Sequence, residues 1–150
     1  MWVGGDVKIL QFLTLICVMF SYDALSCSCG LKSVEESFGD AKAVLLIEVQ
    51  SLKVVTIPDK SRKDEYRKVL EATFNTIETF KESAIPVESL RTYSNCGLDL
   101  YPTQRYLVYV PKESSVENYV SHCHGSFKYR PQLEFAESKL KLVREYAKKE

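Results

Sequence analysis

The residues of this chain best equipped for chemistry are four cysteines in three short motifs: Cys27-Ser28-Cys29, Ser94-Asn95-Cys96-Gly97 and Ser121-His122-Cys123-His124. Cysteine sulfurs can bridge, hold a soft metal or act as nucleophiles, and the redox compartment selects among these. A fifth, Cys17, lies inside the apolar run 9–20, which follows Lys8 and precedes the short polar stretch 21–26. That layout predicts a secretory signal peptide over residues 1–26. The run is too short for a membrane span, which needs roughly 20 apolar residues. Ala24 and Ser26 are the small residues a signal peptidase inspects, so Cys27 is expected to become the first residue of a secreted domain, 27–150. Cleavage after Ser28 would leave an odd number of cysteines, whereas cleavage after Ser26 leaves four.

Four cysteines in a small secreted domain imply two disulfides, and counting alone allows three connectivities. A Cys27–Cys29 bridge is disfavoured, because residues two apart on an extended chain close a strained ring. His122 and His124, at i and i+2 with no further ligand, are a weak metal signal once Cys123 is committed to a bridge. Nothing else reads as catalytic: no nucleophile stands with a base, and there is no Gly-rich phosphate loop or metal triad. The expectation is a chain that is not an enzyme and has no cofactor of its own. Twenty basic residues balance twenty acidic ones, so no overall field draws in nucleic acid or an anionic membrane. Tyrosines such as Tyr101, Tyr106 and Tyr109 are therefore assigned to core and rim packing rather than base stacking.

The elements that must position these cysteines follow from the pattern. Ser33 and Glu36 form a capping box, which predicts a short helix over 34–39 ended by Gly39-Asp40. Residues 43–57 are apolar and β-branched, long enough for a bent or bulged strand, and 58–65 form a charged hairpin connection. Alternation over 66–80 puts Leu70, Ala72 and Phe74 on one face and Glu71, Thr73 and Asn75 on the other. Shorter strands are expected over 87–93, 105–110 and, weakly, 118–121. After Pro131, Leu133, Ala136, Leu140, Val143 and Tyr146 recur at helical spacing, giving a C-terminal amphipathic helix. Five irregular strands with a helix at either end suit a mainly β, five-stranded Greek-key barrel of the oligonucleotide/oligosaccharide-binding (OB) kind.

With those elements in place, the cysteine motifs, together with Tyr106-Leu107-Val108 in a strand, resemble the netrin-like module and within it the inhibitory domain of the tissue inhibitors of metalloproteinases. The resemblance covers essentially all of 27–150 and is nearest to single-domain members. It implies bridges Cys27–Cys96 and Cys29–Cys123. It also implies an extracellular, monomeric inhibitor of matrix-metalloproteinase-like zinc proteases, in which the amine and carbonyl of Cys27 chelate the partner's zinc. Ser28, Cys29, Ser94 and Asn95 would contact the protease, with Tyr93 a weaker candidate. Gly30-Leu31-Lys32 stand where the family carries a proline. Two other expectations compete: a netrin-like extracellular binding module that never touches zinc, and a lipoprotein acylated on Cys27.

Overall fold

The computed structural model describes residues 27–30, 32–59 and 65–149; the expected signal peptide, Cys17, Leu31 and most of the hairpin connection lie outside them. Helix α1 spans Val34–Asp40, and its capping box forms as expected. Ser33 Oγ accepts from the Glu36 amide at 3.1 Å, and the Glu36 carboxylate accepts from the Ser33 amide at 2.8 Å. Strand β1 (Ala41–Pro58) pairs antiparallel with β2 (Tyr66–Lys81) from Val44 to Pro58, and Asp59 N donates to Glu65 O at 2.8 Å beyond the last rung. Register shifts after Val44, Leu46 and Val49 bend the pair, which is how one 18-residue strand serves two packing environments. Strands β3 (Leu90–Thr92), β4 (Arg105–Pro111) and β5 (Phe127–Lys128) complete an antiparallel sheet in the order β3-β2-β1-β4-β5.

The uninterrupted apolar run in β1 has a physical reason: its first half is covered on both faces. Successive side chains in a strand point to opposite sides. Ala43, Leu45, Ile47 and Val49 join Tyr106, Val108, Val110 and Leu90 in one core. Val44 and Leu46 join Leu107 and Tyr109 beneath α1 and the C-terminal helix α2 (Glu134–Ala147), which contributes Leu140 and Val143. Beyond Val49 only β2 pairs with β1, and the strand becomes largely exposed. Tyr106 pins the loop before β4: its hydroxyl donates to Asp99 O at 2.9 Å and accepts from Tyr101 N at 3.0 Å. Arg144 of α2 clamps Glu78 of β2 at 2.6 Å. Among the described residues no helix is long and apolar enough to cross a membrane.

Four expectations need correction. Only Leu90–Thr92 of 87–93 is strand, since the stretch after Pro86 finds no ladder partner until Leu90 reaches Ala72. Residues 118–121 do not form a strand of their own but contribute single bridges, Tyr119 to Arg91 (parallel) and Ser121 to Gly97. The fifth strand is instead Phe127–Lys128, paired with Tyr106 and Leu107. Leu133 caps α2 and is exposed rather than buried with Ala136 and Leu140.

Candidate functional site

Two loops at one end of the sheet carry the anchoring cysteines, and backbone bonds hold them side by side. After β3 the chain turns sharply at Ser94, whose φ of 65° is left-handed, and Gly97 N closes the turn on Ser94 O at 3.1 Å. The returning strand of chain meets 120–122: Leu98 N donates to Val120 O and His122 N donates to Cys96 O, both at 3.2 Å. Cys123 follows in a 3-10 turn, His122–His124, closed by Gly125 at φ 85°. Against this pair of loops lies the extended segment 27–30. Bridges join Cys27 to Cys96 and Cys29 to Cys123, each with Cα atoms 5.1 Å apart, an ordinary separation for a disulfide. Because residues two apart on an extended chain face the same way, Cys27 and Cys29 both point inward and Ser28 is left exposed between them. Cys27 Sγ lies 3.2 Å from Cys29 Sγ and 3.3 Å from Cys123 Sγ. Ser94 and Asn95 are exposed immediately before Cys96, so the Cys27–Cys96 bridge ties them to the same ridge. Gly30 is exposed, and a Cβ there would meet nothing within 4 Å.

Gly97 is the position the ridge tolerates least well. A Cβ on it would overlap Thr92 Oγ1 and stand 2.6 Å from the Tyr93 carbonyl oxygen. Since the second obstacle is backbone, Gly97→Ala is expected to destabilise the domain by about 2 kcal/mol or more and displace Cys96, checked by urea unfolding and by the fraction of Cys96 left unbridged.

Below the ridge lies a stack that the sequence did not single out. The Arg67 guanidinium sits 4.3 Å from the centre of the Tyr93 ring, Tyr93 packs on Tyr119 at 4.7 Å, and Tyr119 meets His124 edge-on at 5.9 Å. The Tyr119 hydroxyl donates to Tyr93 O at 3.4 Å and its ring meets His124, so one nearly buried ring touches the loops bearing Cys96 and Cys123. Burial pushes that phenol up. Two grooves flank the ridge. One of about 430 Å³ has Ser94, Tyr93, Tyr101 and Leu98 in its wall; the other, about 320 Å³, is lined by Lys32, Asp40, Lys112, Glu113 and His124.

His124 Nδ1 bonds Ser121 Oγ at 2.9 Å, and burial, helped by the nearby Lys32 charge and opposed by Asp40, holds its imidazole below the ordinary value near 6.5. A lowered folded value means the unfolded chain binds the proton more readily. The stability His124 contributes is therefore complete above about pH 6.5 and lost as pH falls through the folded value. The urea midpoint is expected to drop between pH 7.5 and 5, and His124→Gln to flatten that slope.

The structure thus brings Cys27, Ser28, Cys29, Ser94 and Asn95 into one ridge. The His122 and His124 rings do not join the cysteines: among the described residues, the one group of three or more potential metal ligands is Cys27, Cys29 and Cys123, whose sulfurs lie within 4.8 Å of one another. Fold and site together define a mainly β domain with two helices, whose amino-proximal segment is stapled by two disulfides onto paired loops. No model of a known protein family matches the chain, and no curated protein matches it. Tyr119 is not marked by the sequence, and His124 is marked there only as a weak metal signal and not for its packing, because nothing in a period-two or period-3.6 pattern marks a residue that packs under a loop. The residues flanking Cys123 were the only hint.

Proposed function

We propose that this chain is a secreted inhibitor of zinc metalloproteinases, similar to the tissue inhibitors of metalloproteinases, and that Cys27 is its working terminus. The observation that carries the reading is the pair of bridges: both cysteines of Cys27-Ser28-Cys29 are fastened to the loops at Cys96 and Cys123, leaving Ser28 outermost. A segment held in this way has already lost most of the freedom that binding would otherwise remove.

A catalytic zinc keeps one position for water, which a well-placed N or O donor can replace. Once Cys27 is a free terminus, its α-amine and its own carbonyl can close a five-membered chelate there. The amine's reference pKa of about 7.7–8.0 requires little proton release at neutral pH. Ser28 then points into the pocket that receives the substrate side chain after the scissile bond, with Ser94 and Asn95 lining the other side of the ridge. The domain supplies no metal or cofactor; the zinc is the partner's.

The fold reading is supported by the sheet order together with Arg91, whose amide donates to Asn118 O at 3.0 Å and whose carbonyl accepts from Val120 N at 2.9 Å. That parallel contact joins the segment after β4 to the edge strand β3, the closure a five-stranded Greek-key barrel of the OB kind requires. Two long-range disulfides fit an extracellular location.

The test is active-site titration of the catalytic domain of a matrix-type zinc protease. One-to-one inhibition that competes with a small zinc chelator supports the reading. Ser28→Gly should weaken inhibition roughly fivefold, the worth of about 1 kcal/mol of pocket contact. Lack of inhibition by a chain with a verified free Cys27 and both bridges would leave an extracellular binding module in its place.

A further inference from the structure

Three of the four bridging sulfurs, those of Cys27, Cys29 and Cys123, form one cluster, and the fourth, of Cys96, is bonded to one of them. Cys27 Sγ is bonded to Cys96 and lies 3.2 Å from Cys29 Sγ and 3.3 Å from Cys123 Sγ, and the sulfurs of Cys27, Cys29 and Cys123 are mutually within 4.8 Å. A tetrahedral zinc site with Zn–S near 2.3 Å sets its sulfurs about 3.8 Å apart, and the non-bonded spacings of 3.2 and 3.3 Å need to open only slightly to reach it. The loops also do not depend on the bridges to meet. The Gly97–Ser121 bridge, the bond from His122 N to Cys96 O and the bond from Leu98 N to Val120 O hold Cys96 beside Cys123 through backbone alone. The alternation of an extended chain delivers Cys27 and Cys29 from the same side. All four sulfurs are partly buried, which shields a metal without closing its entry path.

We propose that this cluster is a redox-dependent metal site: with both bridges reduced, Cys27, Cys29, Cys96 and Cys123 bind one zinc ion as four thiolates. Two equivalents of a dithiol reductant each give two electrons and two protons, turning the two disulfides into four thiols and leaving as its own disulfide. Zinc then forms four S–Zn bonds as four protons pass to solvent. A closed four-thiolate site of this kind is structural, since it keeps no open position for substrate. The same end of the sheet would therefore be stapled by sulfur–sulfur bonds in an oxidising compartment and by metal in a reducing one. This inference does not rest on protease inhibition.

The full chain carrying Cys17→Ser, reduced under argon with a phosphine that does not compete for the metal, is titrated with Co²⁺ and then Zn²⁺. One Co²⁺ per chain should give the charge-transfer and ligand-field bands of a tetrahedral four-thiolate centre. One Zn²⁺ should bleach them and remove all four thiols from reaction with an alkylating reagent, with the far-ultraviolet signal of the sheet retained or regained. Adding Cys27→Ser and Cys96→Ser should reduce the spectrum to that of two thiolates. Absence of the charge-transfer band, four thiols that alkylate equally fast with and without zinc, or an identical spectrum in that variant would overturn the proposal. So would zinc binding to a chain that stays unfolded.

Discussion

An alanine inserted ahead of Cys27 is expected to lower the affinity for a zinc protease by about a thousandfold or more, while both bridges, the far-ultraviolet spectrum and the urea midpoint stay as they were. The physical basis is positional. On the proposed mechanism the chelating pair is the amine and carbonyl of one residue, and an added residue converts that amine to an amide, which is a poor metal donor. A Lewis-acid contact worth several kcal/mol is lost, and each 1.4 kcal/mol is a factor of ten. Nothing in the fold opposes the insertion, because the residue ahead of Cys27 is needed for neither bridge. Inhibition constants of the parent and the extended chain, measured on one protease preparation, check it. Equal inhibition by the two would remove the zinc mechanism.

The second large effect concerns stability. Replacing Cys29 and Cys123 together by alanine is expected to destabilise the domain by about 4 kcal/mol, because the bridge spans 94 positions and a loop that long is costly to close in the unfolded chain. Against a typical total of about 5–15 kcal/mol, that is roughly a quarter or more of the whole. The Cys27–Cys96 bridge, spanning 69 positions, should contribute nearly as much. The two variants should part in function. Losing Cys29–Cys123 is expected to free the inner end of the ridge and weaken binding, whereas losing Cys27–Cys96 also detaches Cys27 from Ser94 and Asn95. Urea unfolding monitored by tyrosine fluorescence gives the first comparison, and inhibition assays the second.

Much of the scaffold could be read from the amino acids, for identifiable reasons. The Ser33–Glu36 box, the long β1 and β2 strands and the buried face of α2 each express a local rule repeated over enough residues to stand out. Strand β5 could not be found in this way: it is two residues long, and its neighbour Ser126 is buried because its hydroxyl accepts from Tyr109 N at 2.9 Å, a long-range bond with no local signature. The misjudged 118–121 segment does contact β3, but through one bridge, Tyr119 to Arg91, that leaves no alternating pattern behind. The site divides along the same line. Cysteine counting allows three connectivities, and the family resemblance, rather than spacing, points to the one that the structure holds. The left-handed turn at Ser94 and the Tyr119 hydroxyl beneath it depend on tertiary contacts alone, so they became visible only in three dimensions.

Whether Cys27 is a free, bridged terminus aimed at a protease's zinc is read from the N-terminal sequence and intact mass of the chain recovered from the medium of a secreting host. A chain beginning Cys-Ser-Cys is expected, unmodified on its amine, with a mass four hydrogens below that of the fully reduced chain for its two bridges. An uncut, acylated or differently cut terminus would contradict it, since no amine would then stand at Cys27 to meet the metal.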